Sequence, residues 1–559
     1  MADAVVVGAG HNGLVAANML ADAGWDVEVL EAQPEPGGAV RSDRGVHPDH
    51  VSDLCSAFYP LGVASPAMRA LELERHGLRW RHAPAVLAHP LPDGRCAVLD
   101  RDRDATAAGL DALGAGDGET WLRLCRLWDE MGEDVLRALF TPFPPVRAAL
   151  PLLASARRAG GLRVLRTLLA PVRTLGEQEF AGPGGPLLLA GSALHTDLFP
   201  ESSTGSLFGW LLAMTGQRYG WPVPEGGAGE LTAALVRRLE SRGGRLRCDT
   251  PVASVVVRNG RALGVRTASG EPVRAAKAVL ADVSAPALYG GLVDWADLPA
   301  SLRADMRRFV WDHATFKVDW ALSGPIPWAA DGAGRAGTVH LSPGLDAMTD
   351  YSAQLATGRV PSEPFALLGQ MTTADPTRSP AGTESVWAYT HVPHRVKADA
   401  GPDGITGVWD GRERDAMARR IEDVVERFAP GFRSRVLDRR VTAPPAFQEH
   451  DANLLNGALN GGTSMLHQQL VFRPAPGLGR AETPVAGLYL ASASAHPGGG
   501  VHGACGANAA RAALAHAGPA GRLLTPALGA VWGGGGPPPP PRGGAGRGGG
   551  VAPAAGGPP

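Results

Sequence analysis

Two groups of residues have types and spacing that could do chemistry. The first lies in "AVVVGAGHNGLVAANMLADAGWDVEVLEAQ", where Gly8, Gly10 and Gly13 follow an apolar run and Glu31 stands 18 residues beyond Gly13. In such a turn the first glycine permits a sharp bend, the second lets main-chain N–H groups approach a pyrophosphate, and the third lets helix close on strand. The helix start, with Asn12 inside it, turns its positive end toward phosphate charge, and an acid about 20 residues on can accept ribose hydroxyls. The second group lies in "LYLASASAHPGGGVHGACGANAA", where His496, Gly498, Gly499, Gly500, His502 and Gly503 again separate an apolar run from a helix-forming one. Lys317 in "TFKVDWAL", and Gln468, Gln469 and Arg473 in "LHQQLVFR", are further candidates for proton movement or for contact with a bound group.

The elements that must position these groups follow from periodicity. Ala4 to Val7 reads as a buried strand, Leu14 to Ala23 as a helix and Asp26 to Leu30 as a second strand, which together make a βαβ unit. Gly37-Gly38 adds a flexible turn beside the same nucleotide, which a nicotinamide dehydrogenase does not need and an extended dinucleotide does. Further on, Gly226-Gly227 opens a helix and Cys248 to Arg258 reads as a strand. Asn259-Gly260 gives a hairpin turn, and further strands follow, the last from Ala278 to Asp282. A plain β-meander would give the same local pattern.

"GAGHNGLVAA" followed by "EAQPEPGGA" resembles the FAD-binding start of the phytoene desaturase and amine oxidase superfamily. "NLLNGALNGGTSMLHQQLVFRPAPGLGRAETPVAGLYLASASAHPGGGVHGACGANAA" is most similar to its pyridine nucleotide-disulfide oxidoreductase domain-containing protein 2 branch. The resemblance implies an α/β chain with a glutathione-reductase-like, Rossmann-type FAD domain, discontinuous over 1–84, 222–290 and 445–532. An α+β substrate or lid domain would fill 85–221 and 291–444. It implies FAD held by Gly8, Gly10, Asn12, Gly13, Glu31, Gly37 and Gly38, with Val252 against the adenine and Gly226 and Gly227 in the second FAD segment. Members commonly carry Arg directly after the paired glycines; this chain has Ala39, and Arg41 two positions on. Gly498, Gly499, Gly500 and Gly503 would close over the isoalloxazine, where a helix start favours the charge of the reduced ring. Flavin N5 then accepts hydride, with Lys317, His496 and His502 as catalytic candidates and Gln468, Gln469 and Arg473 at the flavin face. A structural role in a turn or an ion pair is the alternative for each.

Composition sets exclusions. The net charge of -2 gives no reason to expect nucleic acid, and the five cysteines are scattered, the closest pair 29 apart, so neither a CxxC nor a metal site is expected. The branch name promises disulfide chemistry that these cysteines cannot supply. A strand beginning at residue 4, and no continuously apolar run of roughly 18 residues, point to a cytoplasmic protein. Residues 533–559 are almost all Gly, Pro and Ala and read as a disordered tail. Residues 135–176 hold seven arginines and no acid among Leu, Val and Ala, which suits either an anionic membrane surface or ordinary helices with solvated arginines. No second nucleotide motif is present, so electrons would pass to oxygen, a quinone or another diffusible acceptor. The expected activity is oxidation or desaturation of a small-to-medium apolar substrate. A membrane-surface carotenoid desaturase or isomerase, and a flavin-stabilised scaffold with little turnover, are the alternatives.

Overall fold

A computed structural model describes residues 1–518, so 519–532 and the expected tail 533–559 lie outside the described residues. Five parallel strands form the first sheet, in the order Leu488–Leu490, Pro272–Ala281, Ala2–Val7, Val27–Leu30 and Arg245–Arg247. Ala2–Val7 can be continuously apolar because both its faces are covered. Ala4 and Val6 pack among the helices His11–Asp22, Gly229–Ser241 and Ala504–Ala517, while Val5 and Val7 pack into a second cluster behind the sheet.

Pro272–Ala281 is longer than its apolar core suggests. Its first residues leave the parallel sheet and pair antiparallel with Arg261–Thr267, which pairs in turn with Val252–Arg258. Asn259 and Gly260 sit at φ 51° and 71°, the left-handed pair that a tight hairpin requires. The strand expected from Cys248 to Arg258 begins only at Val252 and runs to Arg258, and a separate short strand before it, Arg245–Arg247, joins the parallel sheet. Between them Asp249 adopts φ 51° and Pro251 has no N–H to give a ladder, so the strand breaks.

The second sheet has seven strands in the order Val436–Thr442, Ala314–Leu322, Glu384–Val392, Ala366–Gln370, Ala336–Leu341, Ala85–Pro90 and Cys96–Leu99. All neighbours are antiparallel except Ala336–Leu341 with Ala85–Pro90, the pair that joins the two chain segments. One face, with Phe316, Val318 and Trp320, packs on the charged helix Gly411–Phe428, whose start is capped by the Asp410 carboxylate. The other, with Leu87, Leu367 and Trp387, packs under the helices Asp117–Leu139, Gly184–Ala193 and Gly205–Tyr219. Arg378 ties the end of a separate hairpin strand, His50–Asp53, to the segment after Ala366–Gln370, its guanidinium lying 3.0 Å from Asp53 and 3.0 Å from Asp375, all three fully buried.

Candidate functional site

The strand Ala2–Val7 delivers Gly8 at φ +93° into a turn that no other residue type fits. A methyl group on Gly13 would sit 2.2 Å from the Gly8 carbonyl oxygen, so the third glycine is needed for helix His11–Asp22 to start where it does. Glu31 braces this turn: its carboxylate accepts the Ala9 N–H at 2.7 Å and the Gln33 N–H at 2.9 Å, with lone pairs left for a sugar hydroxyl. The Gly37 N–H donates to the Ala9 carbonyl at 2.9 Å, and Gly38, at φ +55°, leaves only 3.5 Å between an added methyl and the Gly10 Cα. Arg41 donates to the carbonyls of Gly38 (3.1 Å) and His450 (2.7 Å), so it anchors the paired glycines from outside.

Sequence reasoning missed two acids here. Asp282, at the end of Pro272–Ala281, accepts the Gly13 N–H at 2.7 Å, and burial pushes its carboxyl up to about 8. Asp451 lies against Gly38, and burial raises it too. The available signal for Asp282 was an acid closing the apolar run "AVLAD".

The two glycine groups meet. Helix Ala504–Ala517 packs so closely on the first turn of His11–Asp22 that a methyl on Gly506 would lie 1.9 Å from the Asn12 carbonyl oxygen. Gly503, at φ +65°, sits against Val15, and the buried His11 ring faces the Gly500 backbone. His502 is committed to this join: its Nδ1 accepts the Ala504 N–H at 3.0 Å, and its carbonyl accepts the Ser65 hydroxyl at 2.6 Å. Burial holds its pKa down to about 3, so its role here is that of a neutral cap rather than a proton carrier. His496 is similarly buried, lowered to about 4, and its Nε2–H donates to the Thr141 carbonyl at 3.0 Å. Thr141 follows the long helix Asp117–Leu139, and Phe140 and Phe143 stack near His502 and His496, so the arginine-rich stretch begins on top of the glycine loop.

Beneath that loop Arg473 is 1 % exposed. Its guanidinium donates to the carbonyls of Asn460 (2.7 Å), Thr463 (3.0 Å) and Ala493 (2.7 and 3.1 Å), with Gly462 at 3.5 Å. A methyl on Gly498 would touch its Cζ at 3.1 Å. Gln468 and Gln469 face inward but are spent on the backbone: Gln468 pairs both ways with Val310, and Gln469 donates to the Thr463 carbonyl. Lys317 is buried on Ala314–Leu322, donating to the Asp53 carbonyl at 2.9 Å and to the Asp319 carboxylate.

Gly226 and Gly227 open helix Gly229–Ser241, but the amides there are taken. Gly226 donates to Asp375, Gly227 to the Pro224 carbonyl, Ala228 to Asp53 and Gly229 to Ser42. They therefore anchor that helix to Asp53 and Ser42 of the hairpin Ser42–Asp53 and to Asp375, with no free amide for a phosphate. Val252 starts its strand two residues after Thr250, whose N–H donates to the Glu31 carbonyl at 2.8 Å, which keeps it beside the Glu31 end of the site.

These residues fit a dinucleotide. Helix His11–Asp22 has no side-chain cap of its own, and the buried Asn12 Oδ1 in its first turn has no partner among the described residues. The glycines leave backbone without side chains at Gly10 and Gly38, against Asp282 and Asp451, and along Gly498 to Gly500, against Arg473, Asn460 and Leu61. Among the described residues no cluster of three or more His, Cys, Asp or Glu could hold a metal ion, and all five cysteines are free.

Comparison with known proteins gives the cofactor. The family described as flavin containing amine oxidoreductase matches residues 13–376. The chain is 28 % identical to mouse pyridine nucleotide-disulfide oxidoreductase domain-containing protein 2, covering 91 % of this chain and 92 % of that protein. It is 26 % identical to the neurosporene-forming phytoene desaturase of Cereibacter sphaeroides, over 93 % and 95 %. An oxidoreductase of Methanosarcina mazei superposes with a TM-score of 0.58 at 17 % identity, covering 91 % of this chain and 99 % of that one, a likeness of fold. The chain therefore belongs to the flavin-containing amine oxidoreductase family and is an oxidoreductase whose cofactor is FAD.

Proposed function

We propose that this enzyme oxidises or desaturates a small-to-medium organic substrate with an apolar body, and that one FAD lies between the two glycine-lined helix starts. The observation that carries the reading is the contact of those starts, Gly506 against Asn12 and His11 against Gly500, although they are almost 500 residues apart in the chain. Bound FAD supplies the acceptor for a hydride equivalent. The chain's part is to hold that group, to exclude water and to move a proton. Phe140 and Phe143 cover the glycine loop, and Phe58, Trp387 and Tyr389 form an aromatic row on the second sheet that suits an apolar body. With His502 acting as a cap and His496 held by Thr141, Lys317 is the candidate we assign to proton movement, with Asp319 as its partner. The absence of a second nucleotide motif in the sequence supports oxygen or a quinone as acceptor, and the unpaired cysteines suit a reducing, cytoplasmic setting. Anaerobic stopped-flow mixing with a panel of apolar alcohols, amines and polyenes tests the activity. Substrate-dependent bleaching of the flavin is expected, and none with any member would favour a scaffold.

A specific observation favours peripheral membrane contact as a second reading. No helix among the described residues is long and apolar enough to cross a membrane. The helices Val146–Arg158 and Leu162–Leu169 nevertheless hold Leu150 (75 %) and Leu162 (83 %) in the open beside Arg147, Arg157, Arg158 and Arg163. Leu466, Leu470 and Phe472, also exposed, join them through Gly479, whose carbonyl accepts the Phe143 N–H and which packs on Leu470. Flotation with phosphatidylserine vesicles that is lost in a Leu150→Asp, Leu162→Asp double variant supports this reading. Absence of flotation removes it, and with it the main support for a carotenoid substrate delivered from lipid.

A further inference from the structure

The guanidinium of Arg473 is buried in an unusual way: every hydrogen bond it makes goes to a main-chain carbonyl, and none goes to a carboxylate. A buried charge of this kind is expensive unless something opposes it. Its surroundings are layered. On one side it touches Gly498 of the glycine loop. On the other lies the chain segment 459–464, whose carbonyls accept from Arg473 and whose N–H groups point the opposite way. There Asp312 accepts the N–H of Leu459 (2.9 Å), Asn460 (2.9 Å) and Gly462 (3.2 Å), and Asp197 accepts the Ser464 N–H (2.7 Å) and the Thr463 hydroxyl. The acids are thus kept one peptide layer away from the cation, and the cation alone faces the loop. Burial and the neighbouring Asp197 push Asp312 up to about 6.

We infer that Arg473 is the counter-charge for the reduced flavin: a positioning residue that fixes the glycine loop from beneath and makes the protein bind reduced FAD more tightly than oxidised FAD. The inference rests on the proposed placement of the flavin ring at Gly498 to Gly500. The energetic logic is that the cation gains its missing anion only on reduction, so its desolvation opposes the oxidised state and favours the reduced one. A residue that merely packed the loop would change affinity for both states alike.

The test is a dye-coupled potential titration, with FAD affinity measured in parallel, on wild type, Arg473→Met, Arg473→Lys, Asp312→Asn and Gly499→Ala. Arg473→Met is expected to lower the ratio of reduced to oxidised affinity at least tenfold, which for a two-electron couple is about 30 mV downward. Arg473→Lys, which keeps the charge, should return the potential most of the way. Asp312→Asn removes negative charge from the far side of the layer and should move the potential upward; it decides the matter if Arg473→Met does not hold FAD. An Arg473→Met protein that binds FAD at the wild-type potential overturns the inference, as does an Asp312→Asn potential that stays still or falls. If Gly499→Ala alters neither affinity nor potential, the flavin placement fails and the inference with it. If Gly499→Ala acts and Arg473→Met does not, the inference fails alone.

Discussion

Lys317 shows how one residue can be held by structure and still be suited to chemistry. It is 2 % exposed and shares its charge with Asp319, which also lies 3.6 Å from Arg440. Lys317→Met leaves Asp319 without its main partner and should cost about 3–5 kcal/mol in a denaturant melt, the usual result of breaking a buried pair. Lys317→Arg keeps the pair but replaces the ammonium with a guanidinium that is always charged, so it should retain most of that stability while slowing flavin reduction roughly 10²-fold, the low end for a general acid or base. An Arg variant that reduces flavin at the wild-type rate would return Lys317 to a purely structural role. The sequence marks Lys317 only as a polar residue in an apolar strand. Gly8, Gly10, Gly13 and Glu31 were legible because their spacing is local, whereas Asp282 acts on Gly13 across 269 residues and left no spacing to read.

Among the elements, the decisive contact is between helices His11–Asp22 and Ala504–Ala517. Each start was readable from its own glycines and apolar run; their mutual packing was not, because it depends on the strand order that places Leu488–Leu490 beside Pro272–Ala281. Gly506 is the point of closest approach. Gly506→Ala must push the Asn12 carbonyl away and should cost about 1–3 kcal/mol, the range for overpacking, with a loss of FAD content larger than that from an alanine at the exposed Arg419 of helix Gly411–Phe428. Thermal melting and the flavin-to-protein absorbance ratio check both parts. A Gly506→Ala protein with full flavin and wild-type melting would show that the two helices do not need this proximity. The strand expected from Cys248 to Arg258 is shorter by its first four residues, where the left-handed Asp249 and Pro251 keep the chain out of the ladder until Val252.

Across the whole molecule, burial leaves a pH signature. His11, His89 and His496 are lowered to about 4 and His195, His313 and His502 to about 3, all mainly by desolvation. The folded chain keeps these rings neutral while the unfolded chain protonates them near 6.5, so their contribution is complete above 6.5 and is lost as pH falls toward 4. Asp282 and Asp312, raised to about 8 and about 6, and Asp451 and Glu384, also raised by burial, act in the opposite sense, gaining stability as pH falls, but the lowered histidines outnumber them. At up to about 1.4 kcal/mol per group and pH unit, the melting temperature should drop steeply below pH 6.5. A flat profile across that window would contradict the buried, neutral histidines. Only the family resemblance made the return of the late strand to the first sheet legible, since local pattern alone cannot pair residue 279 with residue 488. The central claim is that both glycine turns hold one FAD, and it is tested most directly by titrating FAD into apo-protein of wild type, Gly10→Val and Gly499→Ala. A methyl at Gly499 would lie 2.7 Å from the Asn460 Cα, which cannot rotate away. Stoichiometric binding by wild type, none by Gly10→Val and at least tenfold weaker binding by Gly499→Ala, or about 1.4 kcal/mol, is the predicted result. Wild-type affinity in either variant would contradict it.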